Sequence, residues 1–192
     1  MKYLQQGGFE NNPLMRLTLA LALLMLAGFW VTNVALYFSH MTLDPASVVD
    51  YCRGNEAEFM PARSATGMLE VTHMHLPMFA LVLLLLTHLL IFAPLRMAMR
   101  VAFIVIAFGS AVLMEAAGWM VRFWHPGYAW LKVSMFVVFQ VMLASLIVGL
   151  GSYLALARHI GGQKRAGRMQ IHLARQRPDP PAPAEDSSPS ER

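Results

Sequence analysis

The sequence predicts an all-α protein, a four-helix transmembrane bundle with both termini in the cytoplasm. Of its 192 residues, 57% are hydrophobic and only 14% are charged, a composition outside the range of ordinary soluble domains. The apolar residues concentrate in four runs. Each run is long enough to cross a bilayer, because about 20 helical residues span its hydrocarbon core. Lys and Arg are also distributed unevenly among the segments that join these runs.

The apolar runs also indicate how the chain is oriented. They are Leu14–Tyr37, Val71–Ala93, Val101–Val121 and Trp130–Ala157. With a cytoplasmic N-terminus, eleven of the fifteen Lys and Arg residues lie inside, as the positive-inside rule describes. The basic balance therefore indicates topology, and no basic–aromatic pattern typical of nucleic-acid binding accompanies it. The first run is too long for a signal peptide and lacks a small-x-small cleavage site, so it predicts an uncleaved anchor.

Taken in order, the segments place the chain in the lipid bilayer of a bacterial inner membrane as a multi-pass protein. They are a cytoplasmic lead (1–13), transmembrane helices at 14–39, 67–93, 100–122 and 130–157, an outer, periplasmic loop at 40–66, and a cytoplasmic tail (158–192). In the outer loop, Pro45–Cys52 fits a short amphipathic helix that rests on the membrane or caps the bundle. Ser64 or Thr66 is placed to cap the second helix, and Pro94 is placed to end it. The Pro-, Ser- and acid-rich stretch from Pro178 predicts a disordered end to the tail.

The second helix carries the polar groups around which the chain is organised, Glu70, His73, His75 and His88. At about 100° per residue, Glu70, His73 and His88 share one face, and His75 points roughly opposite His73. Pro77 deprives the His73 carbonyl of its helical partner, so a kink or a local ligand is expected there. The pattern predicts a cofactor or proton site near the outer end of the helix. In the alternative interpretation, His73 and His75 only make local hydrogen bonds at the water interface.

Glu115 is another ionisable group within a span, and it lies about two turns from the outer end of the third helix at Arg122. An intramembrane carboxylate is a functional hypothesis by default. Glu115 is expected to be protonated, to pair with Arg122, or to bond a histidine of the second helix. Two amides add to the polar groups of the outer half, Asn33 and Gln140, and Asn33 is expected to bond a neighbouring helix.

Haem b and a quinone are the two redox cofactors that fit these residues. For an outer haem, His73 or His75 is one ligand and His40 or His125 the opposing one. His88 lies about 22 Å deeper than His73 by helical rise, and it would serve an inner haem or pack in the core. A quinone site would instead use His75 and Glu115, because quinol oxidation needs proton acceptors. We expect His73, His75 and Glu115 to converge.

A transition metal is the alternative ligand, held by His73, His75 and Glu70, since imidazole and carboxylate suit Zn, Cu, Fe or Ni. His-x-His places its two rings on different sides of a regular helix. The two rings would therefore converge only if the helix unwinds near Pro77.

One run of the sequence resembles a little-characterised bacterial family of small four-helix membrane proteins. The run is D-Y-C-R-G-N-E…S-A-T-G-M-L-E-V-T-H-M-H-L-P-M-F…L-T-H-L-L, followed by the F-G-S and G-Y-A-W-L regions. The resemblance covers roughly residues 14–157. The family motif E-x-T-H-x-H-L, with a later T-H-L, maps onto Glu70, Thr72, His73, His75 and His88. The resemblance implies that these residues define the family and implies no activity. Some members carry an elongation-factor name, which nothing in this chain supports.

The sequence therefore predicts a redox-associated integral membrane subunit that binds haem b or a quinone in the outer half of the bundle. Other membrane or periplasmic electron-transfer subunits are its expected partners. A metal-binding or transport protein and a structural or assembly subunit are the alternatives. The sequence does not favour a serine hydrolase, because no Ser stands in a G-x-S-x-G context. The single cysteine, Cys52, can form no internal disulfide, and no C-x-x-C-H motif for covalent haem is present.

Overall fold

Within residues 13–91 and 95–175, which are those the structure describes, the chain folds into five α-helices. The structure is a computed structural model, and its side chains are described within 14–91 and 95–155. The helices are α1 (Pro13–His40), α2 (Pro45–Arg53), α3 (Ala65–Leu90), α4 (Met97–Phe123) and α5 (Ala129–Arg175). All except α2 contain a stretch long and apolar enough to cross a membrane. The predicted all-α transmembrane bundle is confirmed.

The C-terminal helix is longer than its predicted transmembrane part. Its apolar stretch ends at Ala155, close to the predicted 157, but α5 continues to Arg175. The continuation is rich in Ala, Gln, Leu, Lys and Arg, which favour helix. The predicted lead before Pro13, the stop at Pro94 and the disordered stretch from Pro178 lie outside the described residues.

The start and the course of α3 are fixed locally. Ser64 caps the helix, because its Oγ accepts a hydrogen bond from the Gly67 amide at 3.0 Å, which selects Ser64 over Thr66 as the cap. The helix then runs unbroken through Pro77 to Leu90. The unwinding near Pro77 that would bring His73 and His75 together is therefore absent from α3.

Helix α5 is central to the bundle, since it packs against all four other helices. Its side chains Phe139, Leu143 and Leu146 are buried in the main core with residues of α1, α3 and α4. Helix α4 packs chiefly on α5, and its buried residues include small ones, among them Ala107 and Ala117, both fully buried. Small side chains let two helix backbones approach closely, which is the usual basis of helix association in lipid.

The short helix α2 closes one end of the bundle, which we call the loop end because it carries residues 41–64 and 124–128. Asp44 caps α2 by accepting from the Ala46 amide at 3.0 Å. Val48 and Cys52 of α2 are buried against Val121, Ala129 and Val133, which belong to the ends of α4 and α5. Of the two arrangements predicted for this segment, α2 therefore adopts the one that caps the bundle.

Two arginines fasten the loop end through backbone carbonyls. Arg53 Nε donates to the Val121 carbonyl at 2.7 Å, and its Nη2 donates to the Trp124 carbonyl at 3.1 Å. Arg122 Nε donates to the Arg63 carbonyl at 2.9 Å. These charge-assisted bonds tie α2 and the segment that precedes α3 to the end of α4.

Candidate functional site

The inward face of α3 brings one predicted residue, His75, against the intramembrane carboxylate of α4. His75 Nδ1 lies 2.6 Å from Glu115 Oε1, and the side chains are 32% and 12% exposed. Of the three states expected for Glu115, the structure therefore selects the hydrogen bond to a histidine of the second span. Arg122 does not reach Glu115, because its guanidinium lies over Phe123 and bonds the Arg63 carbonyl.

Two further side chains extend this pair; the sequence analysis named Thr72 only as part of the family motif and did not name Trp119. Trp119 Nε1 donates to Thr72 Oγ1 at 3.0 Å, and Thr72 Oγ1 lies 3.5 Å from Glu115 Oε2. Thr72 lies one helical turn before His75, and Trp119 one turn after Glu115, so each shares a face with its partner. This helical spacing was the feature of the sequence that could have identified Thr72 and Trp119 as neighbours of the pair. The contacts orient the carboxylate and leave His75 Nε2 for a ligand.

The pair lies in the wall of a cavity of about 270 Å³ at the loop end. The cavity is bounded by α1, α2, α3, α4 and α5, with Arg63 of the segment before α3 also in its wall. Its lining is mostly apolar and aromatic, with a few polar side chains. The lining residues are Asn33, Leu36, Tyr37, His40, Met41, Tyr51, Cys52, Arg63, Gly67, Met68, Val71, Thr72, His75, Met114, Glu115, Gly118, Trp119, Lys132 and Phe136.

The exposure of the lining residues indicates that the cavity opens sideways, between α1 and α3. The exposed residues of its lining are Leu36 and His40 on α1 and Val71 on α3, whereas those of α2, α4 and α5 are buried or half-buried. Helix α1 packs mainly on α5. The opening therefore lies along the side of the bundle.

Two cationic side chains of the lining, Arg63 and Lys132, lie closer to the loop end than the His75–Glu115 pair. The Arg63 guanidinium lies 4.4 Å from the centre of the Tyr51 ring. Lys132 Nζ lies 3.1 Å from where a Cβ on Gly118 would be, so the missing side chain at Gly118 makes room for it. Within the described part of the chain, Lys132 forms neither an ion pair nor a hydrogen bond. This end of the cavity is therefore electropositive.

Cys52 lies under α2 and is only 2% exposed. Burial raises the pKa of its thiol, although the nearby charges of Lys132 and Arg122 act in the opposite direction. The thiol is thus held neutral in the wall of the cavity.

The expectation that His73 joins His75 and Glu115 is wrong for this fold. His73 and Glu70 are exposed on the outer face of α3, because two residues turn a helix by about 200°. The proposed metal set of His73, His75 and Glu70 is divided between opposite faces of α3 for the same reason. Among the residues that the structure describes, no three His, Cys, Asp or Glu side chains lie close enough to hold a metal ion.

The remaining predicted histidines occupy three different places. His40 lines the cavity at its opening, with its ring 5.5 Å from that of Tyr51. His125 is exposed in the turn before α5, where its Nδ1 accepts from the Gly127 amide at 3.0 Å, so it is not part of the cavity lining. His88 is exposed on the outer face of α3 near its C-terminal end. Only His40 shares the cavity with His75.

Comparison with known proteins agrees with this architecture. Residues 42–159 match the model of the Aq_1264_TM family, described as a transmembrane helical domain. The match covers more than half of the chain, so the protein belongs to this family of integral membrane proteins. No curated protein and no solved structure matches it.

Proposed function

We propose that this member of the Aq_1264_TM family binds the head group of a membrane quinone, with His75 as its hydrogen-bond and proton partner. The observation that carries the proposal is a cavity that opens between α1 and α3 and has a histidine–carboxylate pair in its wall. A quinone is dissolved in the bilayer, so an opening on the side of the bundle is the route by which it would arrive.

The size of the cavity favours a quinone over haem. Ligand sites usually measure roughly 300–1,000 Å³, and this cavity, at about 270 Å³, is slightly smaller than that range. A single substituted ring fits such a volume, with its isoprenoid tail left in the lipid. A tetrapyrrole would require α1 to move away from the bundle.

The His75–Glu115 pair has the chemistry that a quinol hydroxyl needs. With Nδ1–H donated to the carboxylate, Nε2 carries a lone pair that accepts the hydroxyl proton. The imidazolium formed in this way is stabilised by the Glu115 carboxylate. When a quinone is bound instead, the protonated Nε2 donates to its carbonyl oxygen.

The electrons of a quinol must leave by another route. Oxidation of one quinol releases two protons and two electrons; His75 would accept one proton, and the second would pass to water at the loop end. The electron acceptor would be a redox centre of a partner subunit. We therefore propose that the chain is the quinone-binding subunit of an electron-transfer assembly in the bacterial inner membrane.

Haem b is the second candidate, and one observation favours it. His75 and His40 both line the cavity, on α3 and α1. A histidine whose Nδ1 bonds a carboxylate is a well-oriented metal ligand through Nε2. This candidate predicts a b-type band in the visible spectrum.

The test is a titration of the purified protein in detergent with a short-tailed benzoquinone, followed by tryptophan fluorescence. Trp119 lines the cavity, so a bound quinone should quench it. We expect saturable quenching in the wild type and in His73→Ala, and a loss of roughly tenfold or more in affinity in His75→Ala. His73→Ala is the matched control, because it removes a histidine two residues away on the opposite face.

Two results would overturn the quinone proposal. One is the absence of saturable quenching in the wild type. The other is a reduced-minus-oxidised b-type band in the purified protein that disappears in His75→Ala, which would select haem b.

A further inference from the structure

One amide in the cavity wall is left with an unused donor. Asn33, on α1, lines the cavity, and its Nδ2 is buried without a hydrogen-bond partner among the residues that the structure describes. A buried amide donor is rarely left unpaired in a folded protein. A half-turn of the Asn33 amide about its Cβ–Cγ bond would present this donor to the cavity, where an oxygen acceptor of a bound group would satisfy it.

Asn33 lies at nearly the same depth as the His75–Glu115 pair. By helical rise, Asn33 is about 11 Å from the loop end of α1, Glu115 about 12 Å from that of α4, and His75 about 15 Å from that of α3. The amide and the pair are on different walls, since α1 lies on one side of the opening and α3 on the other. A flat ring between them would meet a polar group at each end.

Several other polar side chains of the lining either form hydrogen bonds already or lie closer to the loop end than His75 does. Thr72 and Trp119 bond one another. The Tyr37 hydroxyl donates to the Thr42 carbonyl at 3.1 Å. Lys132 is only about 5 Å from the start of α5 by helical rise, so it lies closer to the loop end than His75 does. Asn33 is the donor that remains in this layer of the described lining.

We propose that Asn33 Nδ2 donates to the second oxygen of the ligand, so that the site recognises a ring with two oxygens at opposite ends. This inference rests on the proposed function, and it specifies which quinones bind. One carbonyl bonds His75 on α3 and the para carbonyl bonds Asn33 on α1. A bound ring therefore links α1 to α3 across the opening through which it enters.

The experiment compares two ligands by their quenching of tryptophan fluorescence. The first is a short-tailed para-benzoquinone, and the second is a cyclohexadienone of the same ring size with a single carbonyl. In the wild type, the benzoquinone should bind roughly tenfold more tightly, as one additional hydrogen bond predicts. In Asn33→Leu this preference should disappear, with the affinity for the cyclohexadienone unchanged.

Thr32→Val is the matched control, because Thr32 is the neighbour of Asn33 but bonds only carbonyls of α1 itself. It should retain the preference of the wild type. If Asn33→Leu retains it too, the inference is overturned while quinone binding stands. If the wild type binds neither ligand, the proposed function fails and this inference fails with it.

A spectroscopic measurement covers the case in which Asn33→Leu does not fold. A benzoquinone labelled with ¹³C at either carbonyl is bound to the wild-type protein, and each carbonyl stretch is recorded by infrared difference spectroscopy. Both stretches should move to lower frequency than in hexane. A second carbonyl that stays at its hexane frequency would contradict a hydrogen bond from Asn33.

Discussion

A spacing of two residues along α3 separates a histidine that bonds the Glu115 carboxylate from one that does not. His75 faces α4 and bonds Glu115 at 2.6 Å, whereas His73 faces away from the bundle. The hydrogen bond fixes the imidazole ring and gives a transferred proton a nearby negative charge. The exposed ring of His73 gains neither. The same reasoning separates Glu115 from Glu70, which is exposed on the face that carries His73.

Backbone conformation makes Gly54 the residue that the loop end can least exchange. It follows α2 with φ +84° and ψ 163°, a combination that is essentially confined to glycine. A Cβ there would lie 2.6 Å from the Ala62 amide nitrogen and 2.7 Å from the Met60 carbonyl oxygen. We predict that Gly54→Ala lowers the free energy of unfolding by about 1–3 kcal/mol, measured by thermal unfolding in detergent.

Gly149→Ala is the control for this prediction. A Cβ at Gly149 would meet nothing within 4 Å, and alanine favours helix by about 1 kcal/mol over glycine. The control should match or exceed the stability of the wild type. Equal stability of the two variants would show that Gly54 is not under conformational constraint.

At the scale of the element, apolar pattern and length were enough to predict the four spans, but not which face of each turns inward. In a soluble helix the polar face marks the outside. In a bilayer the lipid is as apolar as the core, so Leu and Met occupy both faces. Leu83 is buried and Leu84 is exposed, although nothing in their sequence distinguishes them. The angle between His73 and His75 could be predicted, and the choice of His75 could not.

Helix α2 shows the same limit. Asp44 and Pro45 are sufficient to predict the start of α2. What α2 covers depends on contacts between residues far apart in the sequence, such as those from Arg53 to the carbonyls of Val121 and Trp124. The cavity is likewise made by five helices together, so no segment of the sequence could indicate it.

We predict that Arg53→Met loosens α2 and exposes Cys52. A hydrogen bond from a charged group is worth about 1.5–3 kcal/mol, so the loss of these bonds should raise the rate of Cys52 alkylation by roughly tenfold or more. Glu58→Gln, an exposed change in the same loop, is the control and should leave the rate unchanged. Equal rates in the wild type and Arg53→Met would mean that Arg53 does not hold α2 in place.

The pH dependence of this alkylation gives a second measure. Thiolate is the reactive form, and burial raises the pKa of Cys52 above the ordinary 9.0. The rate in the wild type should therefore still be increasing at pH values where a free thiol has levelled off. In Arg53→Met, Cys52 is more hydrated, and its rate should level off at lower pH.

At the scale of the whole molecule, the bundle is tight on one side and open on the other. Helices α3, α4 and α5 share the main core, and α1 joins them chiefly through α5. One bond in the contact between α1 and α5 runs from Trp30 Nε1 to the backbone carbonyl of Gln140 at 3.2 Å. Phe29 of α1 meets the ring of Phe79 of α3 edge-on, with ring centroids 6.5 Å apart, but α1 packs mainly on α5, so a gap towards α3 remains at the loop end. The cavity therefore follows from the unequal packing of α1.

The orientation of the bundle decides which half of the membrane this gap faces. The charge bias predicts that the loop end is periplasmic, with only four of the fifteen Lys and Arg residues on that side. Cys52 is too buried to report on this, at 2% exposure, so it is replaced by alanine. Exposed Glu58 and Arg96, which lie at opposite ends of the bundle, are then changed to cysteine one at a time. We predict that a membrane-impermeant maleimide labels Glu58→Cys in intact cells and labels Arg96→Cys only after the membrane is opened. The reverse pattern would place the cavity in the cytoplasmic half, and any quinol proton accepted by His75 would then leave on that side.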